Sequence, residues 1–198
     1  MKPGAQAMPL PDNDMMSTLV GLANLARTRL DDGAGMKAAR RTIAERIGSE
    51  NIVILPALEL CDIKFKAQAD DRPSVGDVNS HTDRWIGDDG IELGTVRGEG
   101  WKIASIGQDV ISYYRETAET TLGRIETAGI WNSSAIWQSR WQSLFATGVS
   151  GAVTGMFGVR QLYQEVPRMR YRSFVLLIPI EAADASLRDR ILRGFAAD

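Results

Sequence analysis

The residues best suited to chemistry are a carboxylate and an ammonium group that alternate along one predicted strand. Asp62 and Lys64 are separated by one residue in the run LELCDIKF, so in an extended strand their side chains share a face. A divalent ion held by Asp62 and a second acid, with Lys64 stabilising the attacking water, would cleave a phosphodiester bond. The pair therefore supports a metal-dependent hydrolase or nuclease, although Asp-x-Lys is also common on amphipathic strands.

The acidic segment that follows offers further oxygen ligands. Asp83, Asp88, Asp89 and Glu92 lie in the run DRWIGDDGIE, and carboxylate oxygens suit a hard cation. Their spacing does not follow that of an EF-hand loop, and Asp-Asp-Gly is typical of a turn. We predict no metal ion and no other cofactor.

His81 is the only histidine and Cys61 the only cysteine of the chain. Ser80 and Asp83 lie close to His81 in sequence, but a Ser–His–Asp relay needs a nucleophile against the imidazole, and no nucleophile-elbow motif is present. We therefore interpret His81 as a polar loop residue without a catalytic role. A single cysteine excludes an internal disulfide, and Cys61 is typical of a small buried apolar residue. No residue is predicted to be catalytic.

Length and charge limit the class of protein. The chain has 198 residues and a formal net charge of −2, with a sequence pI near 5.5. This length fits one domain, and the charge argues against a dedicated nucleic-acid-binding protein. Residues 1–14 contain three prolines and no apolar stretch, so we predict a flexible arm there without a secretory signal. A single domain is expected over 15–198, in the cytoplasm.

Apolar residues recur at helical spacing in several segments. Four helices are predicted, at 17–30, 36–47, 106–129 and 134–145. A further helix is predicted from about residue 184 to the C-terminus.

Two segments are predicted to be extended, 51–66 and 169–180. The second contains the apolar run Phe174–Ile180, which suits a central strand buried on both faces. The acidic, glycine-rich segment 67–100 is predicted to be a long loop, with a hairpin over 91–103. The sequence therefore predicts an α+β fold: a mixed sheet with a central C-terminal strand at about 169–180, packed by three to five helices, plus a long acidic loop.

The segment 141–159 is uncharged for nineteen residues and contains glycines at 148, 151, 155 and 158. A membrane-spanning helix needs about 20 mostly apolar residues, and this segment has too many Gly, Ser, Thr and Gln residues. It also lacks the lysine motif of a phosphate-binding loop. We expect no membrane association and interpret the segment as a glycine-hinged connection that reaches a neighbouring subunit.

The later segments YYRETAETTLGRIETAGI and FGVRQLYQEVPRMRYRSFVLLIPI follow LPALEL in the chain. This order of elements resembles the tail-terminator and neck-terminator proteins of tailed phages, which are small α+β proteins that assemble as rings at the head–tail junction. The resemblance covers about the last half of the chain, and segment 67–100 departs from it. It implies a structural protein with no catalytic residues and a location in the virion after assembly.

We therefore predict a structural or assembly protein, not an enzyme, that acts as a homo-oligomer such as a ring and contacts other structural proteins of the same assembly. Aromatic residues, Met and Arg are enriched at protein interfaces. The predicted interface residues are Trp131, Trp137, Trp141, Phe145, Met156, Phe157, Arg160, Tyr163, Arg168, Arg170 and Arg172. The alternative function is the metal-dependent hydrolase or nuclease centred on Asp62 and Lys64.

Overall fold

Eight antiparallel strands form a closed barrel in the computed structural model, which describes residues 13–67 and 74–182. Each strand pairs with its neighbours in the chain, and the last strand pairs with the first. Closure leaves no open sheet edge. The strands are β1 (Val53–Ala67), β2 (Val78–Ile86), β3 (Glu92–Ile106), β4 (Asp109–Thr120), β5 (Gly123–Asn132), β6 (Gln142–Gly148), β7 (Met156–Val166) and β8 (Arg170–Pro179).

Two helices, α1 (Asn13–Asp31) and α2 (Gly35–Ile47), precede the barrel and pack against its outer wall. Gly48 ends α2 in the left-handed conformation, at φ +69°, which favours glycine. A short helix, α3 (Ser133–Trp137), joins β5 to β6. No helix within the described ranges is long and apolar enough to cross a membrane.

The apolar core has two layers because successive side chains of a strand point to opposite faces. On β8, Phe174, Leu176 and Ile178 face outward and pack with α1 and α2. Val175 and Leu177 face the barrel interior, which we call the lumen. Residues 174–179 of the apolar run thus belong to a strand buried on both faces, as the sequence predicts, and Ile180 follows the strand.

The two halves of the lumen differ in chemistry. One half is filled by closely packed apolar side chains, contributed by every strand: Ala57, Trp85, Val96, Ala118, Ile125, Ala146, Met156, Val175 and Leu177, with Val153 from the turn before β7. The other half holds aromatic, polar and charged side chains around a cavity.

The predicted α+β fold is wrong, since the described residues form a barrel with helices on one side. Segment 106–129, predicted as a helix, forms most of β4 and β5. The predicted loop 67–100 contains β2 and most of β3, and the predicted hairpin 91–103 lies within β3. The physical reason is that the lumen-facing side chains of these strands are largely polar, such as Ser112 and Glu116 on β4, so the apolar alternation of a half-buried strand is missing.

Other predicted elements are present. Helices predicted at 17–30 and 36–47 correspond to α1 and α2, and the extended segments correspond to β1 and β8. The helix predicted at 134–145 is only α3, followed by β6. Residues 1–12 of the predicted arm and the helix predicted from residue 184 lie outside the described residues, and residues 13–14 begin α1.

Candidate active site

A buried cluster of charges lies in the lumen around Arg160 of β7. Nη2 of Arg160 lies 2.6 Å from both carboxylate oxygens of Glu59 on β1. Nη1 donates to Glu116 on β4, and Nε donates to Ser173 Oγ on β8 at 3.3 Å. One guanidinium group therefore joins two carboxylates from strands far apart in sequence, and all three side chains are buried.

Neutral side chains also donate hydrogen bonds to both carboxylates. Trp85 Nε1 donates to Glu59 at 3.1 Å, and Thr127 Oγ1 donates to Glu116 at 2.7 Å. Burial alone would raise the pKa of Glu59, but Arg160 beside it holds that pKa below its usual value. Glu59 therefore remains ionised at neutral pH in spite of its burial.

A histidine–aspartate pair on β2 adjoins this cluster. His81 Nδ1 lies 2.5 Å from Asp83 Oδ2. Its Nε2 lies 3.4 Å from Glu116 Oε1, but the contact is not a hydrogen bond, so Nε2 has no partner within the described residues. Burial is the main cause that raises the pKa of Asp83 to about 6, with hydrogen bonding to His81 opposing it. The Asp83 carboxyl can therefore change its protonation state close to neutral pH.

Glycines on β3 make room for these side chains. A Cβ at Gly98 would lie 2.4 Å from His81 Nε2 and 2.6 Å from Glu116 Cγ. At Gly100 it would lie 2.4 Å from two ring atoms of Tyr114. Side chains from β2 and β4 thus meet over Gly98 and Gly100, which place no side chain on the lumen face of β3.

Aromatic residues form the wall above the charged cluster. The ring centroids of Tyr114 and Trp131 are 4.2 Å apart. Lys102 Nζ on β3 donates to Tyr114 Oη at 2.8 Å, and Tyr114 Oη donates to Asn79 Oδ1 at 3.1 Å. On the opposite side, Tyr171 Oη donates to Gln164 Oε1 at 2.9 Å. The hydroxyl groups are therefore bonded, and the rings give the cavity an apolar aromatic wall.

The cavity has two adjoining parts. The inner part, with a volume of about 40 Å³, reaches Glu59, His81, Asp83 and Glu116. The outer part, also of about 40 Å³, extends to Phe65, Trp137 and Arg168. The residues that line both parts are Ile63, Asn79, Tyr114, Trp131 and Tyr171.

Glu59, Cys61 and Asp83 bring three potential metal-ligand atoms within 4.8 Å of one another. Burial and then the charge of Glu59 raise the pKa of the Cys61 thiol far above neutrality. Metals bind the thiolate rather than the thiol, and Glu59 is already bound by Arg160. We therefore assign no metal ion to these residues.

The structure separates the residues of the predicted hydrolase site. Asp62 and Lys64 do share a face of β1, but it is the exposed outer face. Glu92 is exposed beside Arg84, and Asp88 and Asp89 lie in the turn between β2 and β3. Of the four acidic residues considered as possible metal ligands, only Asp83 faces the lumen.

The interpretation of His81 as a loop residue is wrong, since it lies buried in β2. Sequence reasoning missed the lumen-facing set of this strand, although its period of two is visible: Asn79, His81, Asp83 and Trp85. Glu59 and Glu116 carried no comparable sequence signal.

The predicted interface residues occupy different environments. Trp131, Met156 and Arg160 face the lumen, and Phe145 and Phe157 lie beneath the helices. Trp137 and Arg168 form the cavity mouth, Trp141, Tyr163 and Arg172 line an outer groove, and Arg170 is exposed. The homo-oligomeric interface stays a prediction.

The outer groove between α1 and β8 is larger than the cavity. Its charged groups are paired at the surface: Arg172 Nε donates to Glu165 Oε1 at 2.5 Å, and Arg27 lies 3.8 Å from Asp31. Among the described residues, the buried cluster of titratable groups lies in the lumen, so the lumen is the candidate.

Comparison with known proteins agrees with this fold. Residues 61–177, more than half of the chain, match the model of the allene oxide cyclase barrel-like domain. A search of curated proteins finds no match. The match overturns the predicted phage structural protein and the alternative hydrolase, and with them the prediction that the chain is not an enzyme.

Several solved structures are similar to this barrel at low sequence identity. The Diels-Alderase AbmU from Streptomyces koyangensis has a TM-score of 0.62 at 22% identity, covering 81% of this chain and 82% of that one. AbnU, an exo-specific intermolecular Diels-Alderase, has a TM-score of 0.58 at 21% identity, covering 64% and 97%. A pyocyanin demethylase has a TM-score of 0.53 at 17% identity, covering 63% and 99%. These similarities establish a shared fold.

Proposed function

Because the chain belongs to the allene oxide cyclase barrel-like family, we propose that it is a cyclase that closes a ring in an apolar, unsaturated small molecule held in the lumen. The observation that carries the proposal is the charged cluster facing a cavity lined by aromatic side chains. Glu59, His81, Asp83 and Glu116 line the inner part of that cavity.

Stability does not explain these charges. Replacing a buried ion network by packed apolar residues is often neutral or stabilising, and the other half of the same lumen is packed with apolar side chains. A network of perturbed, buried titratable groups in a cavity is typical of a functional site. We therefore take the cavity as the place of reaction.

The cavity walls suit the binding step of a cyclisation. Tyr114, Trp131 and Tyr171 offer aromatic faces, and Ile63 and Leu162 add aliphatic surface. A flexible substrate bound between such walls loses its freedom before reaction rather than during it. Holding the reacting groups of one substrate in a near-attack geometry in this way lowers the barrier to ring closure.

The His81–Asp83 pair supplies the electrostatic part of the catalysis. When Asp83 is protonated it can donate to His81 Nδ1, which leaves the imidazole proton on Nε2, where it can donate to a substrate carbonyl conjugated with an alkene. A fixed donor stabilises the charge that shifts to that oxygen in the transition state. In a cycloaddition two carbon–carbon σ bonds form from two π bonds, so no proton or electron is gained or lost. Two solved structures of this fold are named as Diels-Alderases, which supports this class of reaction.

The test uses linear compounds in which a conjugated diene is tethered to an unsaturated ketone. We expect the protein to convert such a compound to a product of equal mass, with loss of the diene absorbance. Chromatography and mass spectrometry monitor the conversion. His81→Leu should lower the rate about 10–1,000-fold, because it removes the donor. Lys64→Met, on the outer face of β1, is the matched control and should react as the wild type does.

The reaction in D₂O separates two ways of closing the ring. A cycloaddition leaves the carbon skeleton free of deuterium, whereas a route in which His81 removes a carbon-bound proton introduces it. Failure of the wild-type protein to accelerate ring closure above the uncatalysed rate, over a series of tether lengths, would count against the cyclase.

A further inference from the structure

A second polar group lies in the outer part of the cavity, away from the acidic cluster. Lys102 is only 7% exposed, and its Nζ contacts two neutral oxygens: Tyr114 Oη at 2.8 Å and Asn79 Oδ1 at 3.4 Å. No carboxylate lies within salt-bridge distance of Nζ in the part of the chain that the structure describes. The nearest acid that affects it, Asp77, accepts hydrogen bonds from the backbone and hydroxyl of Ser74.

Lys102 still carries its charge at neutral pH. Burial lowers the pKa of Lys102 to about 8, and Asp77 opposes that effect. A buried ammonium without a counter-ion is costly, and the contacts with Tyr114 and Asn79 use only two of its three N–H donors. Its charge is therefore available to a bound anion.

Trp131 provides a second donor in the same outer part of the cavity. Its side chain is 7% exposed, and its Nε1 is shielded from solvent without a hydrogen-bond partner in the described ranges. The ring packs on Tyr114, the residue that Lys102 contacts, and lines both parts of the cavity. Buried N–H groups without a partner are rare, so this one indicates a missing acceptor.

We infer that Lys102 and Trp131 form a subsite for an anionic oxygen of the substrate, a carboxylate or an enolate. The inference rests on the proposed function, since it takes the lumen as the binding site. At the inner end, three carboxylates face one guanidinium group, so an anion is disfavoured there. The charge distribution thus sets the direction of the ligand: its anionic oxygen lies toward Lys102, and its apolar, unsaturated part lies between the aromatic walls and His81.

Two matched probes test the subsite in the full-length protein. cis-Parinaric acid is a conjugated polyene with a carboxylate that fluoresces in apolar surroundings, and its methyl ester lacks the charge. We expect the wild-type protein to bind the acid about tenfold more tightly than the ester. Lys102→Met should weaken binding of the acid about tenfold or more, and Trp131→Phe about threefold, with ester binding changed less than about twofold. Lys64→Met is the surface-charge control and should leave both affinities unchanged.

The outcomes separate the two proposals. Equal binding of acid and ester by the wild-type protein overturns the anionic subsite but leaves an apolar ligand-binding lumen. Binding of neither probe overturns both the subsite and ligand binding in the lumen. The acid–ester comparison requires no substitution, and circular dichroism of Lys102→Met and Trp131→Phe establishes that any loss of binding occurs in a folded protein.

Discussion

Arg160 lies between two carboxylates at a position that water does not reach. Its bonds to Glu59 and Glu116 tie β7 to β1 and β4 across the lumen. Removing one partner from such a network leaves an uncompensated buried charge, which costs far more than the intact network contributes. The arrangement therefore fixes the geometry of the cavity floor, whatever its net contribution to stability.

We expect Arg160→Leu to lower the free energy of unfolding by about 3–5 kcal/mol, because Glu59 and Glu116 are left buried without a counter-ion. Urea unfolding measures the loss. Arg172→Leu is the matched control: its ion pair with Glu165 is exposed, so its cost should be below about 1 kcal/mol. Adding Glu59→Gln and Glu116→Gln to Arg160→Leu should recover part of the loss, and no recovery would contradict this explanation.

The raised pKa of Asp83 gives a second prediction at this scale. The carboxyl has a pKa of about 6 in the folded protein against 3.8 for the free group, so between these values the folded state binds more protons. Its contribution to stability is fully present below pH 3.8 and is lost as the pH rises through 6. The unfolding free energy of the wild type, measured relative to that of Asp83→Asn, should therefore decrease by about 1–3 kcal/mol from pH 4 to pH 7. A difference independent of pH would show that Asp83 does not hold this proton.

The sequence pointed to Asp62 and Lys64 as candidate site residues. The residues of β1 that line the cavity are instead Glu59 and Cys61, on the opposite face of the strand. The face of a strand is decided by the parity of the residue number, and in LELCDIKF the apolar residues change parity: Leu58 and Leu60 face outward, whereas Ile63 and Phe65 face the lumen. With apolar residues on both faces, the pattern could predict a strand but not its inner side. For Arg160, the sequence shows only an arginine directly after the uncharged segment 141–159, which does not indicate that its side chain faces the lumen.

At the scale of elements, the glycines of β3 decide how the site is built. Their lack of side chains lets His81 and Tyr114 lie across the strand. Closely spaced glycines in a sequence suggest a loop, which is why the sequence alone predicts a loop over 67–100. In a closed barrel the same glycines mark a close approach of side chains from neighbouring strands.

We expect Gly98→Ala to impair the reaction more than it impairs folding, since a new Cβ would displace His81 Nε2 and the Glu116 side chain. The conversion rate of the tethered diene should fall about tenfold or more, because even a displacement of about 1 Å can be that costly. Gly21→Ala on α1 is the control: its Cβ would meet nothing within 4 Å, and the protein should gain about 0.5–1 kcal/mol of stability. A fully active Gly98→Ala would show that the position of His81 does not matter.

At the scale of the molecule, side chains pack on both faces of the barrel wall. Helices α1 and α2 lie against its outer face, and the lumen lies on its inner face. Helices α1 and α2 were predictable from sequence because they follow the ordinary rule of one apolar face, with Leu19, Ala23 and Ala26 against the barrel. β8 was predictable because both its faces are apolar. The intervening strands were not, since a lumen that carries a polar site removes the alternation by which strands are recognised.

This two-layer arrangement predicts that the helices stabilise the barrel without shaping its cavity. Leu19 is fully buried between α1 and the outer wall, so Leu19→Ala should lower the free energy of unfolding by about 2–5 kcal/mol. Met36→Ala on α2, at a half-exposed position, should cost less than about 1 kcal/mol. Because the cavity lies on the other side of the wall, folded Leu19→Ala should bind cis-parinaric acid with wild-type affinity.

The same variant tests whether helices and barrel unfold together. In urea, circular dichroism reports helices and barrel together, whereas fluorescence of Trp85 and Trp131 reports the lumen once Trp101, Trp137 and Trp141 are replaced by Phe. If α1 contributes to the core of the barrel wall, both signals should shift to lower urea by the same amount in Leu19→Ala. Loss of helical signal at a urea concentration where the lumen tryptophans are unchanged would mean that the helices form a separate unit.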